Sequence, residues 1–99
     1  MQKTLDIEEI RKRFGIKKHW GVSDAVVQQM AECRGFNPRI PSREACNHAL
    51  RSILPADFYR ESALDMARRA EEQPESVSFI VLGQIIEYHT LADWLEAPH

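Results

Sequence analysis

The chain has 99 residues, of which 43% are hydrophobic and 28% are charged, and its formal net charge is −2. We expect one domain over residues 1–99, because a chain of this length buries roughly 65% of its unfolded surface without metal or disulfide support. This composition excludes intrinsic disorder, and no apolar run reaches the roughly 18 residues that a membrane span requires.

The charge is unevenly distributed along the chain. Residues 1–52 hold ten Lys/Arg and six Asp/Glu, a formal +4, whereas residues 53–99 hold three and nine, a formal −6. The positive charge is concentrated in segment 11–20, where aromatic side chains accompany it. Such a basic-aromatic segment can contact phosphates, an acidic partner surface or the acidic half of a second copy.

The first helix is predicted over residues 6–14, where apolar side chains recur at i, i+3 and i+7. Thr4 or Asp6 can cap its start, and Gly15 can supply the left-handed residue that ends it. Residues 15–22 are predicted to form a turn.

Two further helices are predicted over residues 23–34 and 42–54. Ser23 and Ser42 are the expected caps, and the two prolines of residues 36–41 indicate an extended loop between the helices. The apolar stripe predicted for the third helix comprises Ala45, Cys46, Ala49, Leu50, Ile53 and Leu54. Pro55 is expected to end that helix.

The fourth helix is predicted over residues 56–72, and alanines at 63, 67 and 70 would let a neighbouring helix approach closely. The fifth, over residues 77–96 with Ser76 as its cap, is apolar on nearly every side. Residues 77–82 alone also fit a buried strand, but roughly 20 residues without a turn signal favour one helix. The sequence therefore predicts an all-α, compact bundle of about five helices with residues 77–96 as the central packing element.

Motifs that would carry catalysis are missing. Residues 71–75 have the letters of the EExxE motif of all-helical nucleotide pyrophosphohydrolases, but Pro74 breaks the helix that this motif needs. Cys33 and Cys46 lack the spacing of zinc ligands and are expected to be reduced. His89 is expected on the polar side of the fifth helix, with no nucleophile pattern beside it. We therefore expect no enzyme, no catalytic residues, no cofactor and no metal site.

Residues 7–16, Ile-Glu-Glu-Ile-Arg-Lys-Arg-Phe-Gly-Ile, resemble the first helix and turn of helix-turn-helix proteins. The resemblance implies that residues 23–32 are a recognition helix, but this segment holds no Lys or Arg. Seven residues also separate Gly15 from Ser23, where the family has a tight turn. A nucleic-acid-binding regulator that uses segment 11–20 is accordingly the alternative function.

The leading interpretation is a small non-enzymatic helical protein that acts by protein–protein interaction, including interaction with a second copy as a homodimer. The predicted partner-binding residues are Arg11, Arg13, Lys17, Lys18, Trp20, Trp94 and Leu95. The alternative to partner binding by segment 11–20 is a purely structural role, in which its charged side chains are solvated at a helix end and Trp20 packs in the core. No membrane partner is expected, and a cytoplasmic location follows from the lack of an apolar signal-peptide core.

Overall fold

A computed structural model describes residues 6–98 of the chain. Helical residues make up 72% of this part, which contains five α-helices and no strand. The helices are α1 (Ile7–Phe14), α2 (Asp24–Glu32), α3 (Arg43–Arg51), α4 (Ala56–Glu72) and α5 (Phe79–Glu96). Short 3-10 turns occupy Lys18–Trp20 and Pro74–Ser76. The predicted all-α bundle is confirmed, and between residues 6 and 98 none of the helices has the length and apolar character needed to cross a bilayer.

Side-chain caps begin four of the five helices, as the sequence largely predicted. The cap residues, each accepting a hydrogen bond from a backbone N–H of the first turn, are Asp6, Ser23, Ser42 and Ser78. The prediction that Ser76 caps α5 was wrong. The hydroxyl of Ser76 lies in the 3-10 turn and donates to the carbonyl oxygen of Gln73 at 2.9 Å. Thr4, the other candidate cap of α1, lies outside the described residues.

Helix α5 contributes to two apolar cores. The larger core comprises Ile10, Ile16, Trp20, Val22, Val26, Val27, Met30, Ala70, Leu82, Ile85 and Ile86. The smaller core comprises Cys46, Ala49 and Leu91, with Tyr59, Trp94 and Leu95 packed against it. The first half of α5 thus shares the larger core with residues of α1, α2 and α4, and its second half packs against α3. This arrangement explains why the α5 sequence is apolar on nearly every side.

Helices α4 and α5 lie side by side with their chain directions opposed. Arg60, near the start of α4, contacts Asp93 near the end of α5, whereas Ala70 shares the larger core with Leu82. Ala63 and Ala70 are fully buried, as expected for small residues that bring two helices close together.

Helix α3 ends at Arg51, earlier than predicted. The hydroxyl of Ser52 accepts the N–H of Leu54 at 3.2 Å, and Pro55 disfavours the helical conformation at the residue before it. Of the predicted stripe only Cys46 and Ala49 are buried, and the prediction was wrong at its other positions. Ala45 and Leu50 are exposed within α3, whereas Ile53 and Leu54 lie beyond its end. Ile53 is 98% exposed as a result.

The loop over residues 36–41 crosses α5 at Gly83. A Cβ atom at Gly83 would lie 2.8 Å from Cγ of Arg39 and 3.1 Å from the carbonyl oxygen of Asn37. Arg39 also donates from Nε to Oε1 of Glu87 at 3.2 Å, one helical turn further along α5. The missing side chain at residue 83 is therefore what lets the loop approach the helix.

Gly83→Ala is expected to destabilise the protein by about 1–3 kcal/mol, because the loop must shift to admit the methyl group. The same change in an unobstructed helix interior stabilises by about 1 kcal/mol, so the expected sign is reversed. Urea denaturation measures the effect. In an Arg39→Ala background, which removes Cγ and Cδ, the cost of Gly83→Ala should shrink. A parent protein that gains stability from Gly83→Ala would contradict this close approach.

Candidate functional site

A cluster of polar side chains joins the Lys18–Trp20 turn to α4 and α5, with Asp93 at its centre. Oδ2 of Asp93 accepts from Nε1 of Trp20 at 2.8 Å, and Oδ1 accepts from Arg60 at 2.7 Å. Oδ1 also lies 2.9 Å from Nε2 of His19, and Arg60 extends the cluster to Glu96. This Asp93 cluster holds together segments that are far apart in the chain.

His89 lies beneath the Asp93 cluster and is fully buried. Its ring stacks on Trp20, with the ring centroids 5.1 Å apart and the planes 6° from parallel. Nδ1 of His89 lies 3.0 Å from the guanidinium of Arg60. Because a guanidinium only donates hydrogen bonds, Nδ1 is the acceptor. The neutral ring therefore carries its proton on Nε2. Nε2 is buried, and among residues 6–98 it has no hydrogen-bond partner. The expectation that His89 lies on a polar face was wrong, because Trp20 covers it.

The charge states of the cluster follow from burial and from these contacts. Burial, together with the positive charge of Arg60, lowers the pKa of His89 to about 4. Burial alone would raise the pKa of Asp93, but hydrogen bonds from His19, Arg60 and Trp20 outweigh it and lower that pKa. At neutral pH the cluster therefore pairs an ionised Asp93 with a neutral His89. These contacts hold the Lys18–Trp20 turn against α4 and α5.

Trp20 is buried, whereas most of the basic side chains near it in sequence are exposed. Trp20 is only 3% exposed, so its ring does not offer a surface on which a base could stack. Arg11 is half-buried and pairs with Asp24 at 2.7 Å, whereas Arg13, Lys17 and Lys18 are exposed. Phosphate contact by these exposed cations stays a prediction.

Charge reversal of Arg13, Lys17 and Lys18 to glutamate is expected to change the free energy of unfolding by less than about 1 kcal/mol, because exposed charges contribute little to stability. Binding to any anionic partner of this segment should weaken. Urea denaturation and binding to duplex DNA measure the two effects. A loss of several kcal/mol would show that these residues are structural.

Trp94 and Leu95, also predicted to bind a partner, lie partly beneath α3. Both pack against the smaller core and are half-buried, so each presents only part of its side chain to solvent. Asp93, the residue before Trp94, contacts His19 and Trp20 of segment 11–20.

Large apolar side chains are exposed where α3 ends and α4 begins. We call this surface the α3–α4 edge; its members are Leu50 (39% exposed), Ile53 (98%), Leu54 (39%) and Phe58 (43%). Arg51 and Asp57, both exposed, carry opposite charges within the same stretch. The sequence signal for this edge was Pro55, which ends the helical conformation where the apolar stripe ends. We call residues 52–55 the Ser52–Pro55 break; Ile53 and Leu54, the last members of the stripe, lie within it and are exposed.

No group of three or more His, Cys, Asp or Glu that could hold a metal ion occurs in residues 6–98. Cys33 and Cys46 are free thiols, and burial raises the pKa of Cys46. Comparison of the chain with models of protein families, with curated proteins and with solved structures found no match.

Proposed function

We propose that this protein acts by protein–protein interaction and that its α3–α4 edge pairs with the same edge of a second copy. The supporting observation is the exposure of Ile53, 98%, beside three further large apolar side chains. Full burial of an exposed side chain such as Ile53 is worth about 1.5–3 kcal/mol, and covering the exposed parts of the other three adds to it. Exposed apolar side chains close together in the chain suit association.

The charges of the α3–α4 edge favour a second copy as the partner. In a two-fold arrangement every contact between different residues occurs twice, so Arg51 of each copy can face Asp57 of the other. These exposed pairs contribute orientation more than affinity. Apolar burial therefore drives the association, and added salt should leave it largely unchanged.

Size-exclusion chromatography with light scattering, at low and high salt, tests this function. The parent protein is expected to be a dimer at both salt concentrations, and Ile53→Asp is expected to be a monomer. Ile80→Asp is the matched control, because Ile80 is also an exposed isoleucine (46%) but lies at the start of α5. A parent that stays monomeric at millimolar concentration, or a control that dissociates like Ile53→Asp, would contradict the proposal.

The alternative function, nucleic-acid binding, makes a different prediction for the same protein. Its support is the exposure of Arg13, Lys17 and Lys18 on one short segment. Binding to duplex DNA that falls steeply with salt and disappears in the triple charge reversal would favour it over self-association.

A further inference from the structure

An apolar groove lies between α2 and the end of α4, away from the α3–α4 edge. It encloses ≈ 550 Å³, within the range of sites that hold a ligand or the side chains of a peptide. Its accessible apolar lining comprises Ala25, Cys33, Pro74 and Val77, and the buried Ala70 and Leu82 lie beneath it. Helix α4 has 17 residues and so is about 25 Å long, which separates this groove from the edge near the start of α4.

The charged residues of the groove are all acidic. Glu32, Glu71 and Glu75 line it, and among its described lining residues none is Lys, Arg or His. All three glutamates are exposed to solvent. An apolar surface with three carboxylates complements a molecule with an apolar face and flanking positive charges.

Hydrogen bonds connect the two walls of the groove. Nε2 of Gln29, on α2, donates to the carbonyl oxygen of Pro74 at 3.2 Å. At the other end, the hydroxyl of Ser23 donates to Oε2 of Glu71 at 3.1 Å. These contacts link α2 to α4 and to the 3-10 turn and so help to hold the two walls in place. A preformed site avoids much of the ordering cost of association.

We propose that this groove binds a basic amphipathic helix of a partner protein. The apolar face of the helix lies on the apolar lining, and its Lys or Arg side chains pair with Glu32, Glu71 and Glu75. Helix-in-groove recognition uses this combination of apolar anchors and flanking charges. The proposal does not depend on self-association through the α3–α4 edge.

Fluorescence anisotropy tests the proposal with a labelled peptide of leucine and lysine, about four helical turns long, in which leucine occupies one face. The parent protein should bind this peptide but not a version with glutamate in place of lysine. Replacing the three glutamates of the groove by glutamine should weaken binding by about tenfold or more. The amide oxygen that Glu71→Gln introduces can still accept the hydrogen bond from Ser23, so the wall is retained. Glu9, Glu44 and Glu61, exposed outside the groove, give the control triple with the same change in net charge.

A second variant, Ala25→Phe, fills the groove without changing the charge. Ala25 is exposed in the first turn of α2, so the fold should be retained, which circular dichroism and a urea melt verify. Loss of peptide binding in this variant and in the groove triple, with little change in the control triple, is the expected result. Equal loss in both triples, or unchanged binding in Ala25→Phe, would overturn the proposal.

Two further results keep this proposal separate from the proposed function. Ile53→Asp should bind the peptide like the parent, whatever its oligomeric state. If the groove variants instead dissociate a dimer of the protein alone, the occupant is a second copy and the partner-helix proposal is wrong.

Discussion

Replacing Ile85 by alanine is expected to lower the free energy of unfolding by about 2–5 kcal/mol, the usual cost of emptying a core site. Ile85 is fully buried on α5 within the larger core, between the equally buried Leu82 and Ile86. A domain of this size has only about 5–15 kcal/mol of total stability, so the variant should be visibly destabilised.

Ile80→Ala is the matched control, since it makes the same substitution on the same helix at a side chain that is 46% exposed. We expect it to cost less than about 1 kcal/mol, because much of the side chain is already in water. Urea denaturation of both variants, at one protein concentration, gives the comparison. If Ile85→Ala melts like Ile80→Ala, then α5 is not the central packing element.

Acidification from about pH 7 toward pH 4 is expected to remove about 3 kcal/mol of stability through His89. The pKa of His89 is about 4 in the folded protein, against an ordinary value of 6.5. Between these two values the unfolded chain binds the proton and the folded protein does not. The contribution of His89 is therefore complete above about pH 6.5 and is lost as the pH falls toward 4.

His89→Phe should flatten this pH dependence, because phenylalanine keeps an aromatic ring against Trp20 and cannot titrate. His48→Gln, at an exposed position of α3, is the control and should leave the dependence unchanged. The lowered pKa of Asp93 adds a separate loss, which begins near about pH 5 and takes place mainly below its ordinary value of 3.8. Urea melts at a series of pH values measure the slope, and a slope that persists in His89→Phe would assign it to other groups.

Local signals in the sequence predicted most of the helical framework. Ser23 and Ser42 cap helices because a short hydroxyl side chain satisfies backbone N–H groups that the first turn leaves free. Burial of α5 on nearly every side follows from its composition, since a helix without a polar face must be enclosed. The packing of α4 against α5 follows from Ala63 and Ala70, which are small enough to let the backbones approach.

Features that depend on distant contacts were not predictable in the same way. His89 is buried because Trp20, far away in the chain, stacks on it, and periodicity within α5 carries no information about that contact. Trp20 itself combines an apolar ring with an N–H group that needs Asp93 as its acceptor. The exposure of Ile53, by contrast, has a local cause, since the hydrogen bond from the N–H of Leu54 to Ser52 accompanies the end of α3 before the apolar stripe ends.

Self-association through the α3–α4 edge is tested most directly by urea melts at two protein concentrations, since only the stability of a dimer depends on concentration. For the parent protein, each tenfold increase in concentration should add about 1.4 kcal/mol per mole of dimer, so the midpoint should rise. The midpoint of Ile53→Asp should stay constant. A parent midpoint that does not move with concentration would contradict self-association through this edge.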